Sequence, residues 1–216
     1  REGELHGASV TALLAWSLLG QPGATFRPDF DEEDARAALR DWVRDAGLPA
    51  AVECEVTCDL PASALVDAGA DADLLVVGSR GLGGFKELLL GSVSSAVAER
   101  SVSPVAVIRE AEHPDGPVVV GVDSSANAVR SLRWAAEEAR VRRTRLELVR
   151  AWVGNASPVF GLPIVVPRAQ AQLAAEHELT RAMERVDLSG LEVEQHALEG
   201  TPAGVLVDRS HAAGVV

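Results

Sequence analysis

The chain has 216 residues, 47% of them hydrophobic and 24% charged, which is the composition of a folded protein with a sizeable core and excludes a disordered chain. A formal net charge of -12, with no stretch that concentrates Lys or Arg, argues against a nucleic-acid partner. No apolar run reaches the roughly 20 residues that span a bilayer, and REGELHG has no signal-peptide pattern, so the expected compartment is the cytoplasm and no membrane partner is expected.

Taken in chain order, the sequence alternates strand and helix patterns. In the first half, strands are expected over 8–15, 51–57, 73–78 and 104–109, and helices over 32–46, 62–69 and 92–101. The two cysteines, Cys54 and Cys58, lie in the alternating segment AVECEVTC. A period of two sets them on one strand face, and with five scattered histidines they read as free thiols rather than a metal centre. In the second half, strands are expected over 117–122, 145–151, 191–197 and 212–216, and helices over 126–142, 168–187 and 202–210. LLVVG and VVVGV are continuous apolar runs, as required of strands covered on both faces, so the predicted architecture is a doubly wound parallel α/β sheet.

The order repeats. REGELHGASVTALLAW (1–16) falls on EEARVRRTRLELVRAW (137–152), both ending in Ala-Trp. DLPASALVDAGADADLL (59–75) falls on the run from Gly200 onward, pairing Pro61 with Pro202 and Val66-Asp67 with Val207-Asp208. Two copies of one unit explain this. The first, 1–110, lacks a counterpart of VVVGVD; 111–116 is a polar linker; the second, 117–216, stops within its fourth strand, so both copies are expected to be incomplete. A Pro/Gly-bearing loop follows Ala-Trp in each copy, SLLGQPGATFRPDF and VGNASPVFGLPIVVP. The eight residues from Glu110 to Pro117 reach at most about 27 Å, too little to carry 117–122 comfortably back into the first copy, so that strand is expected to stay with the second.

The stretch with chemistry in it is LLVVGSRGLGGFKELLLGSVSS, residues 74–95. Ligands of open parallel sheets bind beyond the carboxyl ends of strands, where Gly78 falls. Glycines at 78 and 81 allow close approach of backbone to a ligand, and Gly91-Ser92 stands at a helix start, whose free amides favour an anion. The same residues also suit a plain turn and helix cap. Two known phosphate loops do not fit: Lys86, the only lysine of the chain, follows Phe85 and occupies the last glycine position of G-x-G-x-x-G.

The spacing Gly78-x2-Gly81-x9-Gly91-Ser92, followed by SPVAVIR and PVVVGVDSSANAVRSLRWAAEEA, resembles the nucleotide signature of the universal stress protein family in its tandem, ATP-binding branch. The resemblance implies a Rossmann-like five-stranded sheet of order 3-2-1-4-5 binding ATP, with or without Mg2+. By position it assigns phosphate and ribose to Gly78, Gly81, Gly91, Ser92 and Val93, and the base to Val77, Val122, Ala15 and Ala151. Asp123 would meet the nucleoside, although Asp before Ser-Ser is equally a helix cap. The implied role is a nucleotide-dependent stress regulator, not an enzyme beyond weak ATP hydrolysis, forming homodimers or paired domains through edge strands. The alternative is an interaction module of the same fold that binds no nucleotide.

Overall fold

The computed structural model describes residues 2–16, 30–49, 51–79, 90–109, 113–154, 157–159, 162–164 and 167–216. These divide into two compact units, Arg1–Glu110 and Ala111–Val216, each with parallel strands and covering helices.

The first unit begins with α1 (Glu2–His6) and β1 (Thr11–Trp16), followed by α2 (Glu32–Asp45), β2 (Glu53–Cys58), α3 (Pro61–Gly69), β3 (Leu75–Gly78), α4 (Ser92–Arg100) and β4 (Val105–Ile108). Helix α2 starts where Asp31 accepts from the Glu33 and Asp34 amides, and it buries Ala35 and Leu39. Strand β1 pairs only with β2, and β3 only with β4, both in parallel, among the described residues. Leu75, Val77 and Val97 form a small core with Leu65, Val66, Val93, Val105 and Val107 from α3, α4 and β4. Leu13 and Leu14 of β1 are only half-buried, because no strand lies along the other side of β1 among the described residues.

The second unit contains β5 (Val118–Gly121), α5 (Ala126–Arg142), β6 (Leu146–Trp152), β7 (Ser157–Val159), β8 (Leu162–Ile164), α6 (Arg168–Met183), β9 (Val193–Glu199) and α7 (Pro202–Ser210). The sheet order is β5-β6-β9, all parallel, and Val215 adds a parallel bridge beside Val118. Alternation along the strands sends Val118, Val120, Leu146 and Leu148 to the α5–α6 side and Val119 and Val149 to the α7 side. Leu132, Leu146 and Leu148 are fully buried there.

The repeat holds in register. Trp16 pairs with Cys58 and Trp152 with Glu199, so every β1–β2 pair maps onto a β6–β9 pair. The helix before each of these strands ends alike: Gly7 and Arg143 are both left-handed, at φ 61° and 55°. In each copy the next amide, of Ala8 or Thr144, closes onto the carbonyl of Gly3 or Ala139.

Three expectations need correction. A five-stranded sheet does not form among the described residues: there are two two-stranded parallel sheets in the first unit, and a three-stranded parallel sheet with a separate two-stranded hairpin in the second. The neighbours β2-β1 and β3-β4 do pair, but no described residue of the first unit occupies the place that β5 takes beside β6. Residues 212–216 make a single bridge rather than a strand. The loop after Trp152 contains the antiparallel hairpin β7–β8, hidden from a sequence reading because Pro158 and Pro163 face each other in it.

Candidate functional site

At the carboxyl end of β3, Val77 is buried and Gly78 exposed; Gly78 pairs with Ile108. The Ser79 amide then donates to the Ile108 carbonyl, and the Gly91 amide donates to the Ser79 carbonyl at 2.8 Å. That second bond holds the start of α4 against the end of β3. Gly91 is the N-cap and offers no side-chain acceptor, and the first intrahelical bond runs from the Ser95 amide to the Gly91 carbonyl. An α-helix leaves its leading amides without intrahelical partners, so those of Ser92, Val93 and Ser94 form the positive end of the helix dipole. Ser92 is exposed, Val93 is half-buried in the small core, and the Ser94 hydroxyl is committed to the Gly91 carbonyl at 3.1 Å. Gly81 lies outside the described residues, as does the loop after Ala15-Trp16 over residues 17–29. Ala15 sits on β1 opposite Thr57, in the other two-stranded sheet of the unit.

The second unit has its own carboxyl edge. Val122 is buried and its amide donates to the Val149 carbonyl at 2.8 Å. Asp123 is exposed and accepts from the Ser125 amide at 2.9 Å, while the Ser125 hydroxyl caps the Ala128 amide. The hydrogen bonds from Ser125, assisted by the Arg150 guanidinium, hold the Asp123 carboxyl below its ordinary 3.8. Its charge therefore serves the start of α5. Ala151, opposite Leu198, packs with Leu198 and Leu206 on the α7 side.

The candidate residues therefore fall into two groups. Val77, Gly78, Gly91, Ser92 and Val93 come together in the first unit, and Val122, Asp123 and Ala151 in the second. Each group belongs to a different unit.

Two features escape a sequence reading. Arg150, amid the apolar strand LELVRAW, pairs with Glu178 of α6 at 2.5 Å and donates to the Val122 carbonyl at 3.4 Å, beside Asp123. Trp16 and Trp152, at equivalent strand ends, each bury an indole N–H that finds no acceptor among the described residues. The repeated Ala-Trp was the available signal for the second, but it marks the repeat without revealing the buried donor.

Comparison with known proteins follows the same division. A model of the Universal stress protein family matches residues 1–109 and again 116–215. Universal stress protein Rv2005c of Mycobacterium tuberculosis is 32% identical over 171 residues, covering 76% of this chain and 57% of that protein. Universal stress protein MT2698 of the same species is 31% identical over 190 residues, covering 85% of this chain and 63% of its own length. This chain thus matches less than two thirds of either relative. Among solved structures, a universal stress protein from Archaeoglobus fulgidus superposes with a TM-score of 0.59 at 21% identity, over 96% of this chain and 74% of that one. That likeness is one of fold.

Proposed function

This chain belongs to the universal stress protein family, and on that premise we propose that it binds ATP, with or without Mg2+, and acts as a nucleotide-dependent regulator of a stress response. The observation that carries the reading is the bond from the Gly91 amide to the Ser79 carbonyl. It sets the uncapped start of α4, with its exposed Ser92, beside the strand end at the exposed Gly78. Such a place suits phosphate oxygens, because amide donors and the helix dipole favour negative charge while glycine leaves room for close approach. The role proposed is binding rather than turnover. A phosphoryl-transfer catalyst needs cations on the transferring group, and within the glycine motif of the sequence Arg80 and Lys86 are the two side chains that could supply one.

Equilibrium dialysis against radiolabelled ATP tests the reading. The protein should retain nucleotide, and Gly81→Val should lower affinity by about tenfold or more by filling the space a phosphate needs. Equal binding by a folded Gly81→Val protein would sink the assignment.

A second reading rests on a separate observation. Strand β4 pairs only with β3 among the described residues, and its Ile108 is 51% exposed. An apolar edge strand is a template for another strand, which favours association of two copies or two domains through β4. Sedimentation velocity across a concentration series distinguishes it: a chain that stays monomeric at high concentration contradicts this second reading and leaves the first untouched.

A further inference from the structure

A different cluster lies on the α7 side of the second sheet, away from the strand ends. Strands β6 and β9 run parallel in a register that sets Glu147 directly opposite Glu194. His196, two residues further on, returns to the same face. Glu147 is 4% exposed, while Glu194 and His196 are open in part to solvent. Two like charges in such a place need compensation, and Arg145 provides it asymmetrically. Its Nη2 lies 3.1 Å from Glu147 Oε1 and its Nε 3.4 Å from Glu194 Oε1. The two Oε2 atoms are left facing His196, whose Nε2 stands 3.4 Å from that of Glu194 and 3.8 Å from that of Glu147. Those three atoms lie within 4.8 Å of one another, and His196 Nε2 is buried yet makes no hydrogen bond.

We propose that Glu147 Oε2, Glu194 Oε2 and His196 Nε2 form a binding site for a divalent cation of the zinc class. The spacing is the argument. Nitrogen and oxygen ligands about 2.0–2.2 Å from zinc stand about 3.3–3.6 Å apart across a tetrahedron, close to both distances measured from His196. An imidazole with two carboxylates is a donor set that zinc and its neighbours accept, and a fourth, solvent-side position goes to water. Arg145 is a positioning residue: by holding both Oε1 atoms it turns both Oε2 atoms toward the imidazole, as outer hydrogen bonds do in metal sites. Arg209 of α7 is the competitor, with Nη2 3.6 Å from Glu147 Oε2, and it is exposed enough to swing toward water as the cation enters. The site is independent of nucleotide binding.

The test uses the full chain in a Cys54→Ser/Cys58→Ser background, so that free thiols cannot take up metal. After stripping with chelator and desalting, it is titrated with zinc chloride by calorimetry, with circular dichroism as the check of folding. One zinc should bind per chain and raise the unfolding temperature. His196→Gln and Glu194→Gln should each weaken binding by about tenfold or more, and His177→Gln, an exposed histidine of α6, should leave it unchanged. Zinc uptake no greater than the buffer control, or uptake unaltered in both the His196 and Glu194 variants, overturns the proposal. Should His196→Gln fail to fold, Glu194→Gln alone decides, because that side chain is 44% exposed.

Discussion

Asp123 shows how one residue can satisfy two readings. Its position after an apolar strand is where a nucleoside-binding carboxylate would fall, and its geometry is that of a turn that opens a helix, accepting from Ser125. The carboxyl titrates below its ordinary value in the folded protein, through the Ser125 hydrogen bonds first and then, more weakly, the Arg150 charge. A carboxylate depressed on folding contributes stability that is present above its unfolded value and lost as pH falls through its folded value. Asp123→Ala should therefore be less stable than the parent at neutral pH, with the difference closing as pH drops below the ordinary carboxylate range. Thermal unfolding of both proteins from neutral to strongly acid pH checks this; a difference independent of pH would show that the charge has no part in it. Ser125 is simpler. Its hydroxyl caps α5, and Ser125→Ala should cost about 1 kcal/mol in urea denaturation.

At the scale of elements, the sequence reveals most where periodicity and punctuation agree. Pro61 and Pro202 open α3 and α7, and the Ala-Trp pair ends β1 and β6 in the same register. What stays illegible has physical causes. The hairpin β7–β8 is built on paired prolines, which sequence rules demote, and the number of strands in a sheet is a long-range property that a run such as VVVGV does not carry. Of the candidate residues, the sequence places Gly78 at a strand end and Gly91-Ser92 at a helix start, and the Gly91 amide does bond to the Ser79 carbonyl, but that Asp123 lies in the other unit follows only from the repeat. The shared helix ending makes a direct prediction. The first copy places Gly7 in the left-handed position, whereas the second places Arg143 there. Because a side chain in that conformation costs roughly 1 kcal/mol that glycine avoids, Arg143→Gly should stabilise the protein by up to about 1 kcal/mol. A loss of stability on urea denaturation would mean that the Arg143 side chain has a compensating role.

At the scale of the whole chain, two copies of one unit carry unequal cores. β6 has hydrogen-bonded neighbours on both sides and buries Leu146 and Leu148 completely, whereas its counterpart β1 has one neighbour among the described residues and leaves Leu13 and Leu14 half-buried. Local stability follows buried apolar contact and protected backbone. Hydrogen exchange should therefore be at least roughly tenfold faster for the bonded amides of β1 than for those of β6. Equal protection would mean that the first unit is stabilised by contacts not seen in its described residues. The nucleotide binding proposed above would reside in this less buried unit, where ordering of α4 and the strand ends by a bound ligand would have the most to stabilise.

The measurement that bears most directly on the central claim is an ATP titration followed by amide resonances of the isotopically labelled chain. The amides of Gly78, Gly91, Ser92 and Val93 should shift together in a saturable manner, with Ser125 and the start of α5 little changed. Saturable shifts confined to the second unit, or none at millimolar ATP, would contradict the placement of a nucleotide between the end of β3 and the start of α4.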